Sequence, residues 1–266
     1  MKFISFGSGS CGNCYYINSG GQGLLLDLGL GIRTFKKVYK DYGLSLAEIQ
    51  GILVTHNHTD HTKAVGVLSN EFHIPVYTTE VVHEGMRRNM FLSKKVHPSE
   101  VRVITHHEPF TIGPFRITAF SVPHDSHGNN GYLIEVEELR FVLITDMGHV
   151  TDDIRQMISV ANYLVVESNY DPLMLERGKY PYILKRRIQG PYGHISNQET
   201  AELLSAHLSK DNIRQVWLCH LSEENNLPEL ARQTVKQALF ENGFDEINLK
   251  LHVLPRRTPF GVVELT

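Results

Sequence analysis

Residues 51–61 read GILVTHNHTDH, a short apolar run followed directly by four side chains that can bind metal. The run is rich in apolar and β-branched residues, which predicts a buried strand. In an extended segment, residues two apart point the same way, so His56 and His58 can reach one ion together. The chain then turns into a helical pattern, where Asp60 and His61 point elsewhere and can serve a second ion. Neutral imidazoles and a carboxylate suit Zn²⁺, with Mn²⁺ an alternative.

A polar helix-capping loop is the plainer interpretation of this stretch. Four potential ligands within six residues at the end of a strand favour the metal site instead. The chain holds 15 His, and imidazole is the commonest metal ligand in proteins. The positions of the other histidines therefore decide how far the site extends.

The composition bounds the class of protein. The 266 residues suffice for a large core in one domain or two. A net charge of −3 argues against coating nucleic acid by bulk charge but leaves a local basic patch open. Three Cys cannot form a disulfide framework. The first residues are too polar for a secretion signal, and no apolar stretch reaches the length of a membrane span. We therefore expect a cytoplasmic protein that does not associate with membranes.

Strand and helix patterns alternate along the chain. Strands are predicted at 3–6, 14–18, 24–27, 51–55, 76–78, 115–121, 132–136, 141–145, 163–167, 215–219, 249–254 and 261–265. Helices are predicted near 31–42, 62–70, 79–90, 151–159, 197–209 and 228–242. The same order recurs in both halves. This predicts an α/β fold, a four-layer αββα sandwich of two mixed sheets, with residues 1–266 forming one domain.

The H-x-H-x-D-H arrangement resembles the signature of the metallo-β-lactamase superfamily of hydrolases. A lone His or Asp after a strand is more often a turn residue, but here four follow strands in the order that this resemblance implies. They are Asp27 closing LLLD, His124 after SVP, Asp146 closing VLITD and His220 closing WLCH. The resemblance implies His56, His58 and His124 on one metal ion. It implies Asp60, His61 and His220 on the other, with Asp146 and a solvent oxygen bridging them.

The cofactor expected from this resemblance is a pair of divalent metal ions, zinc or manganese, with iron a further option. Two cations lower the pKa of a shared water toward about 7, which provides a hydroxide for attack. The superfamily's oxygen-reducing diiron members carry Glu at the position of His58, so hydrolysis is favoured over redox chemistry. The expected catalytic residues are Asp60, Asp146 and His194.

His194 stands just before a predicted helix, whose Ser196 and Glu199 form an S-x-x-E capping box. A helix start offers N–H groups and a positive dipole, which suit a phosphate. The imidazole of His194 could protonate or neutralise a phosphoryl oxygen. A plain capped helix with an incidental histidine stays open as the alternative.

A basic stretch with interleaved aromatic residues precedes this helix, as a nucleic-acid strand would require. Its members are Arg177, Lys179, Tyr180, Tyr182, Lys185, Arg186, Arg187 and Tyr192. A solvated charged loop is the alternative. The residues expected to contact substrate phosphate are His194, Ser196, Asn197, Arg186 and Arg187. A second basic group, which we guess forms another rim of the same groove, comprises Arg87, Arg88, Lys94 and Lys95.

Three further stretches, ESNYD (167–171), GHISN (193–197) and CHLS (219–222), resemble the YycJ/WalJ-like branch of the superfamily. The likeness runs from about residue 3 to residue 263. It implies a 5′-to-3′ exonuclease that acts on double-stranded DNA, is linked to DNA repair and lacks a cap domain. It also implies that Glu167 and Asn13 contact the metal-binding side chains without binding metal themselves. Cys11 stands where Ser is more usual, and His127 and His149 add imidazoles that we interpret as harmless neighbours.

Two other functions stay open. The first is a small-molecule hydrolase acting on a thioester, lactone or β-lactam, which the basic aromatic stretch and His194 disfavour. The second is a non-catalytic regulatory module, which the complete ligand set disfavours. DNA is the expected binding partner, and the sequence indicates no protein partner.

Overall fold

The computed structural model describes residues 1–245 and 249–266, and its strands and helices follow the predicted order. The strands are β1 Lys2–Gly7, β2 Cys14–Ser19, β3 Gln22–Leu26, β4 Ile49–Leu53, β5 Val76–Thr78, β6 Val101–Val103, β7 Phe110–Ile112, β8 Phe115–Ser121, β9 Asn130–Val136, β10 Leu139–Ile144, β11 Tyr163–Glu167, β12 Gln215–Cys219, β13 Lys250–Val253 and β14 Phe260–Glu264. The α-helices are α1 Ile32–Asp41, α2 Thr59–Thr62, α3 Val65–Phe72, α4 Glu80–Arg88, α5 Asp152–Val160, α6 Pro172–Arg177, α7 Tyr182–Ile188, α8 Asn197–His207 and α9 Pro228–Glu241.

Each sequence-predicted strand has its counterpart within two residues, but four elements were missed. β6 and β7 are three residues long, too short to show a period. α6 and α7 occupy the basic aromatic stretch, where charge and Pro hid the helical pattern. The single helix expected at 62–70 is instead α2 followed by α3.

The strands form two seven-stranded sheets. Their orders are β14-β1-β2-β3-β4-β5-β6 and β13-β12-β11-β10-β9-β8-β7. Each sheet mixes parallel and antiparallel pairs: β3, β4, β5 and β6 run parallel, as do β10, β11, β12 and β13, while β1–β2 and β9–β10 are antiparallel. Two mixed sheets flanked by helices confirm the predicted fold class.

The residues divide into two compact units. The first unit comprises 1–119, 126–130 and 255–266, and the second comprises 120–125 and 131–254. Whether residues 1–266 behave as a single domain stays a prediction. Among the described residues, no helix has the length and apolar character to cross a bilayer.

Each unit has its own apolar core. In the first unit, α1 presents Phe35 and Tyr39 to the sheet, where both rings pack against Phe6. In the second unit, α5 contributes Ile154 and Ile158 to a cluster that also buries side chains of α8 and α9. Apolar side chains recur at helical spacing on these helices, which gives each one a face to bury.

Parallel strands bring the chemistry-bearing residues to common edges. In the first unit, β3 and β4 end side by side with Leu26 opposite Leu53. Asp27 therefore lies beside the loop of residues 56–61, called the metal loop from here on. In the second unit, Glu167 at the end of β11 lies opposite Cys219 at the end of β12. The carboxyl ends of parallel strands are the usual place for ligand-binding side chains in such sheets.

Candidate metal centre

The metal loop of the first unit gathers its four predicted ligands. The ring centroids of His56 and His58 lie 4.6 Å apart, and those of His56 and His61 lie 4.1 Å apart. His61 Nε2 lies 3.7 Å from an Asp60 carboxylate oxygen. The short helix α2 begins at Thr59 and turns Asp60 and His61 away from the extended segment, as predicted.

Asp27 determines which ring nitrogens of His56 and His61 are protonated. Its carboxylate accepts from Thr55 N at 2.8 Å, from Thr55 Oγ1 at 2.8 Å and from His61 Nδ1 at 2.7 Å. Thr55 Oγ1 donates its only hydrogen to Asp27, so it accepts from His56 Nδ1 at 3.0 Å. With both Nδ1 atoms protonated, the Nε2 atoms of His56 and His61 carry the lone pairs that a metal requires.

Asn13 contacts the same loop. Its backbone N–H donates to Asp60 O at 2.8 Å, and its side-chain Nδ2 lies 2.9 Å from His61 Nε2. The amide is oriented by Gly9 N, which donates to Asn13 Oδ1 at 2.8 Å. Gly29 lies against the other side of the loop, where an added Cβ would come within 1.6 Å of Asp60 O.

In the second unit, Glu167 holds two histidines at the carboxyl edge of the sheet. Its Oε1 accepts from His194 Nδ1 at 2.7 Å and from His220 Nδ1 at 3.2 Å, while Oε2 accepts from Met147 N at 2.8 Å. His220 Nε2 then lies 3.5 Å from Asp146 Oδ1. The candidate ligand atoms of Asp146, Glu167, His194 and His220 all lie within 4.8 Å of one another.

His124 completes this group. Its Nδ1 donates to Gly193 O at 3.1 Å, and its Nε2 lies 3.7 Å from Asp146 Oδ1. His124 and His220 therefore both present Nε2 to one Asp146 oxygen while a protein oxygen holds their Nδ1 protons. Imidazole Nε2 atoms around a carboxylate are a donor set that fits a divalent metal ion.

The pKa values of His124 and His194 shift in opposite directions. Burial lowers the pKa of His124 despite the nearby Asp146 carboxylate, which favours the neutral imidazole that a ligand must be. Burial also acts to lower the pKa of His194, but the charge and hydrogen bond of Glu167 outweigh it and raise the pKa. The pKa of the Glu167 carboxyl, which burial would raise, is in turn held low by His194. The 2.7 Å contact between His194 Nδ1 and Glu167 Oε1 thus favours the protonated imidazole beside the ionised carboxylate.

Ser196 and Asn197, which we expect to contact phosphate, are both buried, and that role stays a prediction. Ser196 Oγ accepts from Glu199 N at 3.2 Å and closes the capping box that the sequence predicted. Asn197 is fully buried, and its amide bonds to Ser168 at 2.7 Å and Asn226 at 2.9 Å. In the structure these side chains hold the start of α8.

The basic aromatic stretch includes the end of α6 and all of α7, and six of its eight residues are exposed. Arg187 lies 2.5 Å from an Asp125 carboxylate oxygen, and Lys185 Nζ donates to Glu176 O at 2.7 Å. Arg186 instead lies over the ring of Tyr182 at 5.9 Å, and that tyrosine is 71% exposed. The two predicted phosphate-binding arginines are both exposed, and Arg187 is the one that pairs with a carboxylate.

Arg87, Arg88, Lys94 and Lys95, which we guess form a rim, have different partners in the structure. Arg87 and Arg88 bind the helix carboxylates Glu80 and Glu84. Lys95 Nζ donates to the carbonyls of Met86 and Asn89. Lys94 is the member of the group that is exposed and has no ion pair within the described residues.

Sequence reasoning missed two supporting residues. Thr55 donates a hydrogen bond to Asp27 and accepts one from His56. Its position directly before the first histidine is the sequence feature that could have identified it. Asn169 donates to His220 O at 2.8 Å from within the ESNYD stretch. His149 Nδ1 donates to Pro191 O at 2.6 Å, which gives it a structural task, as interpreted.

A sequence model described as the β-lactamase superfamily domain matches residues 24–220. The exodeoxyribonuclease YycJ of Bacillus anthracis is 36% identical over 244 residues, which cover 92% of this chain and 91% of that protein. The exodeoxyribonuclease WalJ of Streptococcus pneumoniae is 32% identical over 239 residues, with 90% and 88% covered. The Zn²⁺-bound structure of PqqB from Methylobacterium extorquens superposes with a TM-score of 0.73 at 16% identity, covering 98% of this chain and 100% of that one.

Proposed function

Because the chain belongs to the β-lactamase superfamily and is a metal-dependent hydrolase of the metallo-β-lactamase fold, we propose that it is an exonuclease that digests DNA. The observation that carries the proposal is the placement of His194. Its Nδ1 is held by Glu167, its ring lies beside those of His124 and His220, and its side chain is 20% exposed. It is thus a partly accessible imidazole at the edge of a buried ligand group.

We assign both groups of ligands to one centre, following the family. One ion would be held by His56, His58 and His124, and the other by Asp60, His61 and His220, with Asp146 available to both. Zinc or manganese is the proposed metal, with iron a further option. When bound, two such ions activate water and neutralise charge on a transferring phosphoryl group. Asp27, Thr55 and Glu167 keep the Nδ1 protons in place so that the Nε2 atoms stay available.

His194 contributes the proton of its Nε2. With Nδ1 bonded to Glu167, the protonated imidazole donates from Nε2 to a phosphoryl oxygen and stabilises the negative charge that grows there. Glu167 compensates the charge of the imidazolium. Met147 N, which donates to the same carboxylate at 2.8 Å, keeps Glu167 oriented.

We propose double-stranded DNA as substrate, digested from the 5′ end in DNA repair. Arg186 and Tyr182 on α7 offer a cation and a ring to the phosphates and bases of a strand. The names of the two bacterial relatives support deoxyribonuclease action. The polarity and the pathway extend the resemblance in the ESNYD, GHISN and CHLS stretches.

The test is cleavage of 5′- and 3′-end-labelled single- and double-stranded DNA and RNA with added Mn²⁺ or Zn²⁺. We expect label release from the 5′ end of duplex DNA, and its loss in Asp60→Ala. Asp152→Ala, an exposed carboxylate at the start of α5, is the matched control and should cleave normally. Cleavage that survives Asp60→Ala would contradict the proposal.

Two other outcomes of the same assay would replace it. A thioester or β-lactam turned over faster than any nucleic acid would indicate a small-molecule hydrolase. Purified protein that holds no metal, and whose stability and cleavage do not respond to metal, would indicate a non-catalytic module.

A further inference from the structure

The turn that follows α4 exposes two large apolar side chains in succession. Met90 is 91% exposed and Phe91 is 84% exposed. Single exposed apolar residues are common on protein surfaces, but an adjacent exposed pair that includes an aromatic ring often marks a binding surface. Both residues belong to the first unit.

This turn is held in place by its neighbours. Leu92 is buried in the core cluster with Val82 and Met86. Asn89 Oδ1 accepts from Phe91 N at 3.0 Å, and Lys95 Nζ closes the turn by donating to Asn89 O. The turn therefore presents Met90 and Phe91 to solvent from a fixed backbone.

Gly66 shows how closely the rest of the segment packs. An added Cβ there would lie 2.3 Å from Lys94 O and 2.8 Å from the carbonyl carbon of Lys95. Because the chain between Leu92 and Lys95 is pressed onto α3, the exposure of Phe91 does not come from a loose segment.

The turn adjoins the metal loop. Asn89 Nδ2 donates to Asn57 O at 3.0 Å and lies 3.5 Å from Thr59 Oγ1. Phe91 is two residues further on, so its Cα lies within about 7 Å of the Cα of Asn89. That length is about two base steps of roughly 3.4 Å each along a DNA strand.

Exposed cations lie along the segment that directly follows this turn. Arg33, Lys63 and Ser93 line a groove of about 300 Å³ at the start of α1. Arg33, Lys63 and Lys94 have no ion-pair partner within residues 1–245 and 249–266, whereas Arg87 and Arg88 bind Glu80 and Glu84. This charge is complementary to a phosphate backbone that passes the turn.

We propose that Met90 and Phe91 pack against the face of the terminal base pair of a DNA duplex, while Arg33, Lys63 and Lys94 hold the adjoining phosphates. A base-pair face is apolar, and in a stacked duplex only an end exposes it. Stacking on an aromatic ring tolerates every base, which suits digestion without sequence preference. The inference rests on the proposed nuclease function and adds the reason for action at ends.

The test measures KM and kcat on a linear duplex that carries 2-aminopurine at its terminal position. For Phe91→Ala we expect KM to rise about tenfold, with a much smaller change in kcat and loss of the fluorescence quenching caused by stacking. Phe91→Trp keeps a ring and should restore both readouts. Phe240→Ala removes another exposed phenylalanine (68%), on α9 of the second unit, and should behave as wild type.

Each alternative outcome is decisive. If wild type digests DNA and Phe91→Ala leaves KM and quenching unchanged, the inference is overturned and the proposed function stands. If wild type neither binds nor cleaves nucleic acid, the proposed function fails first. Equal loss on bis(p-nitrophenyl) phosphate, which has no base, would show that the turn only supports the metal loop. A change of oligomeric state without a change of KM would assign the pair to self-association.

Discussion

Three residues of the candidate centre adopt a backbone conformation that non-glycine residues seldom take. Asp27, Asp146 and His220 have φ values of 60°, 54° and 53°. Such left-handed residues cost about 1–3 kcal/mol each and persist where surrounding contacts hold them. Asp27 and His220 directly follow β3 and β12, Asp146 comes two residues after β10, and all three side chains contact a group of candidate ligands. Backbone strain is therefore found where the chain reverses direction to orient a candidate metal-binding side chain.

Asp27→Asn tests whether this carboxylate sets the tautomer of the metal loop. Asparagine tolerates a positive φ, so the backbone is preserved. Its NH₂ group would face either Thr55 or His61 and disturb the pattern in which His61 Nδ1 donates. We expect metal affinity to fall about 10- to 100-fold, measured by competition with a chromophoric chelator. Glu100→Gln, a buried carboxylate elsewhere in the first unit, is the control.

The substitution His194→Ala tests whether His194 acts as a proton donor or as a metal ligand. We expect kcat on duplex DNA to fall by about 10²- to 10⁴-fold, since the imidazole would stabilise charge in the transition state. Metal stoichiometry by atomic spectroscopy should stay at that of wild type, because His194 is outside the proposed ligand set. Loss of one ion per chain would show that His194 is itself a ligand, as its place in the second group would allow.

At the level of elements, the pattern of apolar residues predicts the strands that precede the candidate ligands but not all of the helices near them. β4 and β10 were recognisable because buried strands read as continuous apolar runs. α7 was not, because its charged side chains hide a period of 3.6 and nothing in the sequence reveals that Arg187 binds Asp125. The sequence does not show which cations of a charge cluster are paired, since pairing such as that of Arg88 with Glu84 is a three-dimensional property.

Gly29→Ala tests the packing of the segment after β3 against α2. Its new Cβ would collide with Asp60 O, which also accepts from Asn13 N. We expect the free energy of unfolding to fall by about 1–3 kcal/mol, measured with urea, and metal affinity to fall with it. Gly261→Ala in β14, where nothing lies within 4 Å of the added Cβ, is the matched control. Equal effects of the two substitutions would contradict this assignment.

The packing of α4 on β6 predicts a pH dependence. Burial lowers the pKa of His83, although its hydrogen bond to Arg102 O acts to raise it. Below about pH 6.5 the unfolded chain therefore binds more protons at this residue than the folded chain, so stability falls as pH drops. We expect His83→Gln to lose less stability than wild type between pH 7 and pH 5 in urea unfolding at equal metal content. Parallel curves would contradict the prediction.

At the scale of the whole molecule, each unit carries an incomplete set of donors. The first unit supplies a loop of three histidines and an aspartate, and the second supplies two histidines around Asp146. Under the proposed ligand set, the two groups of donors would belong to one dinuclear centre. Metal that binds only the folded chain should then stabilise both units together, by about 2.7 kcal/mol at a hundredfold excess over Kd.

Hydrogen exchange followed by mass spectrometry, with and without Zn²⁺, tests this joint centre directly. We expect metal to slow exchange both in α2 of the first unit and in residues 219–226 of the second. Amides of α9, which carries none of the proposed ligands, provide the internal reference. In Asp60→Ala the protection should weaken in both units, because one ion then lacks a ligand from the first and releases His220 in the second. Protection confined to one unit would show that the two donor groups bind metal separately.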